Sequence, residues 1–251
     1  MSNENQGWQP KIGDEGYERA KEYQEEQRSK YGPSRFFLKP GQTAKLTFLD
    51  SAGFYNMEHS LKINGKWGHF FTCRSEFSEC PLCDSPTLNS KPSYVCAYTV
   101  IDHTGYVDNN GKEHKNIKRL LVVKPRVMDK LARRKQSMDG DLTFGCFDVS
   151  RDSPDECSTG EDFSFLKRLT VDDLAKIMPT GLKNPDGSPM TVQQWLQPFD
   201  YMTLFAPKSV EELRRIAGTP QPVGAGSIHA GASPASRAGS SVPEQSIEDL
   251  L

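Results

Sequence analysis

The residues best equipped for chemistry lie between His59 and Cys83. Cys80-Pro81-Leu82-Cys83 places two thiols on one proline-containing turn. Cys73 precedes them, and His59 and His69 lie further upstream. Three thiolates and one imidazole make a closed tetrahedral set, the arrangement of a structural zinc ion. Such an ion fixes a fold and leaves no open position for a reacting water. Cys80 and Cys83 are one half of the site, and Cys73 is the third ligand. The fourth is His59 or His69. On one strand, His69 would lie roughly 13 Å from Cys73 at about 3.3 Å per residue, too far unless the strand bends. His59 lies across an Asn64-Gly65 turn, where pairing places it close to Phe70 and a bulge brings it to Cys73. That placement favours His59. Cys96, Cys146 and Cys157 lack metal spacing, and Cys96 and Cys146 read as buried packing residues.

A set of short strands must position these ligands. Thr43–Asp50 alternates Ala44, Leu46 and Phe48 on one side, a half-buried strand. Residues 54–63 and 66–73 form a hairpin around Asn64-Gly65, because type I′ turns need positive φ at both central residues. Ser93–His103 is a strong strand, Asn109-Asn110-Gly111 a second hairpin tip, and Ile117–Lys124 a returning strand. Val127–Gln136 reads as a basic helix, and strands follow at about 142–150 and 161–168. Helices are expected within 170–217, with capping sequences at Thr170–Asp173 and Ser209–Glu212. Asp14–Tyr31 reads as an exposed polar helix stopped by Gly32-Pro33. From Thr219 the composition turns to Gly, Ala, Ser and Pro, a flexible linker too poor in apolar residues to fold. The expected class is mainly β (α+β), with the strands closing into a small barrel to hide their edges. Residues 1–33 are the polar arm, 34–218 the core with its zinc subdomain at about 55–91, and 219–251 the disordered linker and acidic tip.

The stretch 112–135 is strongly basic, including Lys115, Lys118, Arg119, Lys124 and Arg126. Aromatic residues punctuate the neighbouring strands. Cations tracking phosphates and rings stacking under unpaired bases are what single-stranded nucleic acid requires. Tyr94, Tyr98, Tyr106 and Phe147 are the expected stacking residues, with the five basic residues just named on phosphates. Tyr94, Cys96 and Tyr98 share a strand face, which is either the inner wall of the core or the base-stacking wall.

The net charge of -2 by itself favours no polyanion. No apolar run reaches the roughly 18–20 residues of a membrane span. Met1–Asn5 lacks the features of a signal peptide, so a cytoplasmic protein with reduced thiols is expected. The final residues combine Glu248 and Asp249 with Leu250 and Leu251, a portable docking peptide on a tether. No paired-carboxylate or glycine-rich phosphate motif is evident, and Asp102, His103, Asp148 and Asp152 read as ordinary strand-end and loop residues.

His59, Asn64-Gly65-Lys66-Trp67, Thr72-Cys73 and Cys80-Pro81-x-Cys83 occur in an order that resembles the zinc segment of the single-stranded DNA-binding proteins of T-even phages. The resemblance covers roughly residues 55–85. It implies an OB-fold core with a zinc subdomain and a sequence-independent single-strand cleft. It places the ligands on His59, Cys73, Cys80 and Cys83. Met1–Asn5 carries no counterpart of the family's basic N-terminal motif. The implied protein is no enzyme. It coats single-stranded DNA during replication, recombination and repair in the host bacterial cytoplasm, and its tail recruits replication or recombination proteins. The competing classes are a zinc-containing nuclease or primase-like enzyme and a zinc-stapled protein-interaction module.

Overall fold

The computed structural model describes residues 13–14, 17–18 and 33–218, apart from 64, 87, 89, 108–110, 112 and 185. The tail residues Glu248, Asp249, Leu250 and Leu251 and most of the N-terminal arm lie outside the described residues. In chain order the strands are β1 (Gln42–Phe48), β2 (Phe54–Ile63), β3 (Lys66–Thr72), β4 (Ser93–Asp102), β5 (Tyr106–Val107), β6 (Glu113–His114), β7 (Ile117–Val123), β8 (Gly145–Arg151) and β9 (Asp162–Arg168). The helices are α1 (Pro125–Gln136), α2 (Val171–Ile177), α3 (Val192–Leu196), α4 (Tyr201–Leu204) and α5 (Val210–Ala217). The architecture is mainly antiparallel β, with few and short helices, and the sheet is open. No described helix is long and apolar enough to cross a membrane.

The chain forms two compact units. The first comprises residues up to Asn56, Tyr94–Gly105 and Lys115–Ala206. Its strands run β7-β4-β1-β8-β9, each antiparallel to its neighbours. β4 is buried on both faces. Cys96, Tyr98 and Val100 enter the main core with Leu46, Phe48, Leu121, Phe147 and Phe163. On the other face, Ile101 packs with Leu49, Leu174 and Trp195, and Ala97 with Leu120 and Phe205. Short helices therefore cover the second face. They start where sequence chemistry directs: Thr170/Asp173 and Thr191/Gln194 are reciprocal capping boxes.

Strands from opposite ends of the order β7-β4-β1-β8-β9 share the main core. Leu121 and Val123 of β7 and Phe163 of β9 join it, together with Val127 and Leu131 of α1. The sheet thus curls around one face of the basic helix. The outer edge of β7 is covered: Phe36 N–H donates to Leu120 O at 2.9 Å and Leu120 N–H to Ser34 O at 3.0 Å. Leu38 N–H then donates to Ser158 O at 2.7 Å. Gly53 lets the backbone pass tightly over this core, since a Cβ there would lie 2.2 Å from Cys96 Sγ and 2.8 Å from the Tyr98 ring.

The second unit comprises Met57–Ser93, Tyr106–His114 and the chain from Pro207 on. It holds the β2–β3 hairpin, the cysteine loop, the β5–β6 hairpin and α5. Gly65 takes φ +80°, as the hairpin turn requires. Its core is small: Leu61, Cys73, Cys80, Leu82, Leu213 and Ala217. Ser209 and Glu212 cap α5 reciprocally, and Arg214 of α5 pairs with Glu79 of the cysteine loop.

Candidate metal centre

Strand register brings the ligands together. His59 lies opposite Phe71, and Glu58 opposite Thr72. Cys73 continues the ladder just beyond β3, its N–H donating to Met57 O at 2.8 Å. Positions 57 and 59 point to the same side of β2, so His59 and Cys73 are diagonal neighbours across the pair, a separation that side chains bridge. The register differs from the expected one, which placed His59 near Phe70 and invoked a bulge. The irregularity falls instead at Leu61/Ile63, nearer the turn. His69 lies opposite Leu61, one pleat repeat further from Cys73 than Phe71 is, and takes no part in the cluster.

His59, Cys73, Cys80 and Cys83 place one ligand atom each within 4.8 Å of all the others. Cys73 Sγ lies 3.8 Å from Cys80 Sγ and 3.5 Å from Cys83 Sγ. His59 Nε2 lies 3.4 Å from Cys80 Sγ and 3.5 Å from Cys83 Sγ. Tetrahedral zinc, with bonds of about 2.3 Å to sulfur and about 2.0 Å to nitrogen, requires S···S edges near 3.8 Å and S···N edges near 3.5 Å. A disulfide requires sulfurs about 2.05 Å apart, and the three thiols are free. The geometry is that of a group that can hold one metal ion and fits a zinc site.

The surroundings prepare each donor. The Nδ1–H of His59 faces Ser90 Oγ at 3.0 Å, which directs the Nε2 lone pair at the sulfurs. Burial holds His59 below its ordinary value, so its ring is neutral near pH 7. Burial opposes ionisation of Cys80, yet backbone N–H groups of Arg74, Cys83 and Leu82 outweigh it and bring the thiol below its usual range. Desolvation first, then the neighbouring Cys73 and Cys80 sulfurs, push Cys83 up to about 12. Negative charge accumulating on clustered sulfurs is the demand that a divalent cation meets.

The expected nucleic-acid residues divide into groups. Tyr98 and Phe147 belong to the core, at 5% and 0% exposure, so the expectation that they stack on bases is corrected. Phe48 meets both rings edge-on, at centroid distances of 5.5 and 5.4 Å. The shared face of Tyr94, Cys96 and Tyr98 is therefore the inner wall, and only Tyr94, nearest the strand start, emerges into solvent. Tyr106 is also exposed, stacked on His114 at 4.9 Å. Arg119 is held by Asp102 at 3.0 Å, and Arg126 pairs with the buried Glu161 at 2.8 Å. Lys115 and Lys124 are exposed, Lys124 preceding the first turn of α1.

Lys118 differs from the other basic residues. Its Nζ sits 4.8 Å above the Phe199 ring and forms no salt bridge among the described residues. Desolvation alone lowers its ammonium to about 8. Phe54 lies in the same cluster as Phe199 and stacks on Tyr201 at 5.5 Å and on Phe205 at 5.2 Å. A cation without a carboxylate thus sits beside a partly exposed aromatic cluster. The prominent aromatics elsewhere escaped the sequence reading: Tyr55, Phe37 and Phe77 are each more than half exposed. Strand parity alone does not separate such positions from core.

One further arrangement resembles a catalytic chain. Thr47 Oγ1 lies 2.7 Å from His103 Nε2, and His103 Nδ1 lies 2.9 Å from Asn116 Oδ1. Asn116 donates through Nδ2 to Ile177 O at 2.8 Å, which fixes its orientation and makes Nδ1 of His103 the donor. Thr47 is fully buried, at 0% exposure, so no substrate can reach its hydroxyl. The chain ties β1, β4 and the end of α2 together.

No protein-family model, curated protein or solved structure matches this chain.

Proposed function

We propose that this protein binds single-stranded DNA without sequence preference, on an OB-type barrel formed by its first unit, while one structural zinc ion staples the second. The observation that carries the reading is Lys118, an ammonium over Phe199 with no salt bridge among the described residues, beside the Phe54–Tyr201–Phe205 cluster. A cation flanked by rings suits a phosphate with its unpaired base. Lys115 and Lys124 extend the positive surface, and Tyr94 supplies a further ring. The curl of the sheet around α1, with its two end strands in one core, supports the barrel.

Zinc is the ion that best suits three thiolates and one imidazole at these separations. His59, Cys73, Cys80 and Cys83 would fill its four positions, so its contribution is to the fold. Replication, recombination and repair of phage DNA in a bacterial host is the setting suggested by the resemblance to T-even phage proteins. The acidic, leucine-ended tail would recruit partner enzymes there.

Titrating the protein with oligo(dT) at two salt concentrations tests this reading. The expected result is quenching of tryptophan and tyrosine fluorescence, with an affinity that falls as salt rises through counterion release. A zinc-stapled module that binds only protein predicts no quenching at either salt. A zinc-dependent nuclease predicts cleavage of the oligonucleotide, lost on chelation.

A further inference from the structure

We infer that Cys83 is an oxidative modification site: a peroxide that reaches it releases the ion and frees α5 from the cysteine loop. The inference rests on the zinc reading above. Of the four ligands, His59, Cys73 and Cys80 are buried, at 0%, 2% and 3% exposure, and Cys83 alone is exposed. A small oxidant in solvent therefore meets the cluster at Cys83. Oxidation selects sulfurs that combine thiolate character with access, and metal ligation supplies the thiolate. The remaining cysteines lack one or both. Cys96 and Cys146 are buried. Cys157 is half-buried and lies outside the cluster, and burial pushes its thiol above the usual range.

The electron balance closes with a peroxide as oxidant. The Cys83 thiolate attacks one peroxide oxygen, the O–O bond breaks and hydroxide leaves, so Cys83 becomes a sulfenic acid. Cys73 Sγ, 3.5 Å away, then attacks the Cys83 sulfur. The S–S bond forms, the S–O bond breaks and a second hydroxide leaves. The two thiolates together give up two electrons, and the peroxide takes them and ends as two waters once protonated. The disulfide removes two of the four donors, and a dithiol reductant restores both.

The helix α5 registers that loss. From Cys73 to Pro92 the described residues form turns and bends, with no strand or helix, so the ligand set organises this loop. Three contacts from the loop span α5. Arg74 donates to Lys208 O at 2.9 Å just ahead of the helix, Glu79 pairs with Arg214 in its middle, and Ser85 Oγ donates to Ala217 O at 3.5 Å at its end. Leu213 and Ala217 share a core with Cys73, Cys80 and Leu82. At 8 residues α5 is shorter than the roughly 12–15 that an isolated helix needs in water. Undocked, it unwinds.

Treating the full-length, zinc-loaded protein with hydrogen peroxide tests the inference. Elemental analysis beforehand establishes whether zinc is bound. A protein that holds none fails at that step, and the zinc reading falls together with the inference. A chromogenic chelator then follows zinc release, dimedone traps sulfenic acid for mass mapping, and amide hydrogen exchange reports on α5. The expected results are zinc release, a first dimedone adduct on Cys83 and a Cys73–Cys83 disulfide in the product. Exchange across Val210–Ala217 should quicken at least roughly tenfold, in step with release. Dithiothreitol and zinc together should restore protection, and Cys157→Ser should change none of this. Chelation without peroxide should free α5 with no disulfide, which separates the docking of α5 from the oxidation. In a protein that binds zinc, retention of the ion while Cys157 becomes oxidised overturns the inference alone. So does a first adduct on Cys73 or Cys80, a product disulfide other than Cys73–Cys83, or an α5 that stays protected after zinc leaves by either route.

Discussion

The carboxylate of Asp50 and the hydroxyl of Tyr201 are directly hydrogen-bonded, with Tyr201 donating. The same Asp50 oxygen accepts the Thr99 N–H at 3.0 Å, standing in for a strand carbonyl just beyond the end of β1. Because a carboxylate only accepts, the direction of the whole chain follows. Phe199 N–H donates to Thr99 Oγ1 at 2.9 Å, and Thr99 donates in turn to Tyr201 at 2.7 Å. Burial raises the Asp50 carboxyl above its ordinary value, although these bonds oppose the shift. The network fastens α4 to the middle of β4. Tyr201→Phe should cost about 1–3 kcal/mol, the penalty for stranding buried polar groups. Asp50→Asn keeps an acceptor and removes a desolvated charge, so chemical denaturation should show it less harmful than Asp50→Ala.

Removal of the metal should destabilise the protein. Chelation of the zinc-loaded protein should lower its melting temperature, and elemental analysis should find one zinc per chain. Cys80→Ser and His59→Gln should each abolish stoichiometric zinc. His69→Gln should retain it, because His69 pairs with Leu61 and stays out of the cluster. Retention by His59→Gln with loss by His69→Gln would reverse the ligand assignment.

Gly53→Ala should be disproportionately harmful for one added methyl. The new Cβ would stand 2.2 Å from Cys96 Sγ, well inside contact distance. Overpacking of this kind costs roughly 1–3 kcal/mol. Cys96→Ala removes the obstructing sulfur, so the double variant should recover part of the loss in denaturant titration.

His103 should make stability depend on pH. Burial holds its ring below the ordinary value of 6.5, against the opposing effects of Asn116 and Asp102. The unfolded chain therefore takes up the proton first. The stabilising contribution is complete above about pH 6.5 and is lost as pH falls toward the lower folded-state value. Melting curves between pH 8 and 5 should show this decline. His103→Gln should flatten it at that site, whatever its own effect on the midpoint.

Lys118 offers a pH test of the nucleic-acid reading. Its ammonium deprotonates near 8, for lack of solvation. If it holds a phosphate, oligo(dT) affinity should fall as pH rises from 7 to 9. Lys118→Gln should weaken binding at pH 7, reduce the salt slope by about 1 and remove most of that pH dependence. Unchanged affinity in Lys118→Gln would take this residue out of the interface.

The strands and the clustered cysteines were legible because their signals are local, whereas the choice of His59 over His69 depended on pairing across the hairpin. Alternation in Thr43–Asp50, the Asn64-Gly65 turn and the Cys80–Cys83 spacing each depend on a few adjacent residues. The capping pairs at Thr170 and Ser209 were readable for the same reason. Tyr98 and Phe147 were misplaced because period-two alternation gives a side chain's face and not what covers that face. β4 is covered on both sides, and α1 is needed to bury one of them. The partnering of Arg119 and Arg126 was equally hidden, since Asp102 and Glu161 reach them only through tertiary contacts.

The segment Met57–Ser93 of the second unit, which carries all four candidate ligands, is interposed between Asn56 and Tyr94, two residues of the first unit. The β1–β4 pairing, which joins Leu46 to Asp102, must therefore close a loop that contains the whole ligand set. A chain that has already gathered these residues around an ion searches a shorter effective loop. Closure entropy grows only logarithmically, about 0.6 kcal/mol per doubling of length. Loading the ion early should thus speed sheet formation by a modest factor. An ion held there would then act as a kinetic guide as well as a staple, setting the order in which a topology rich in distant contacts assembles.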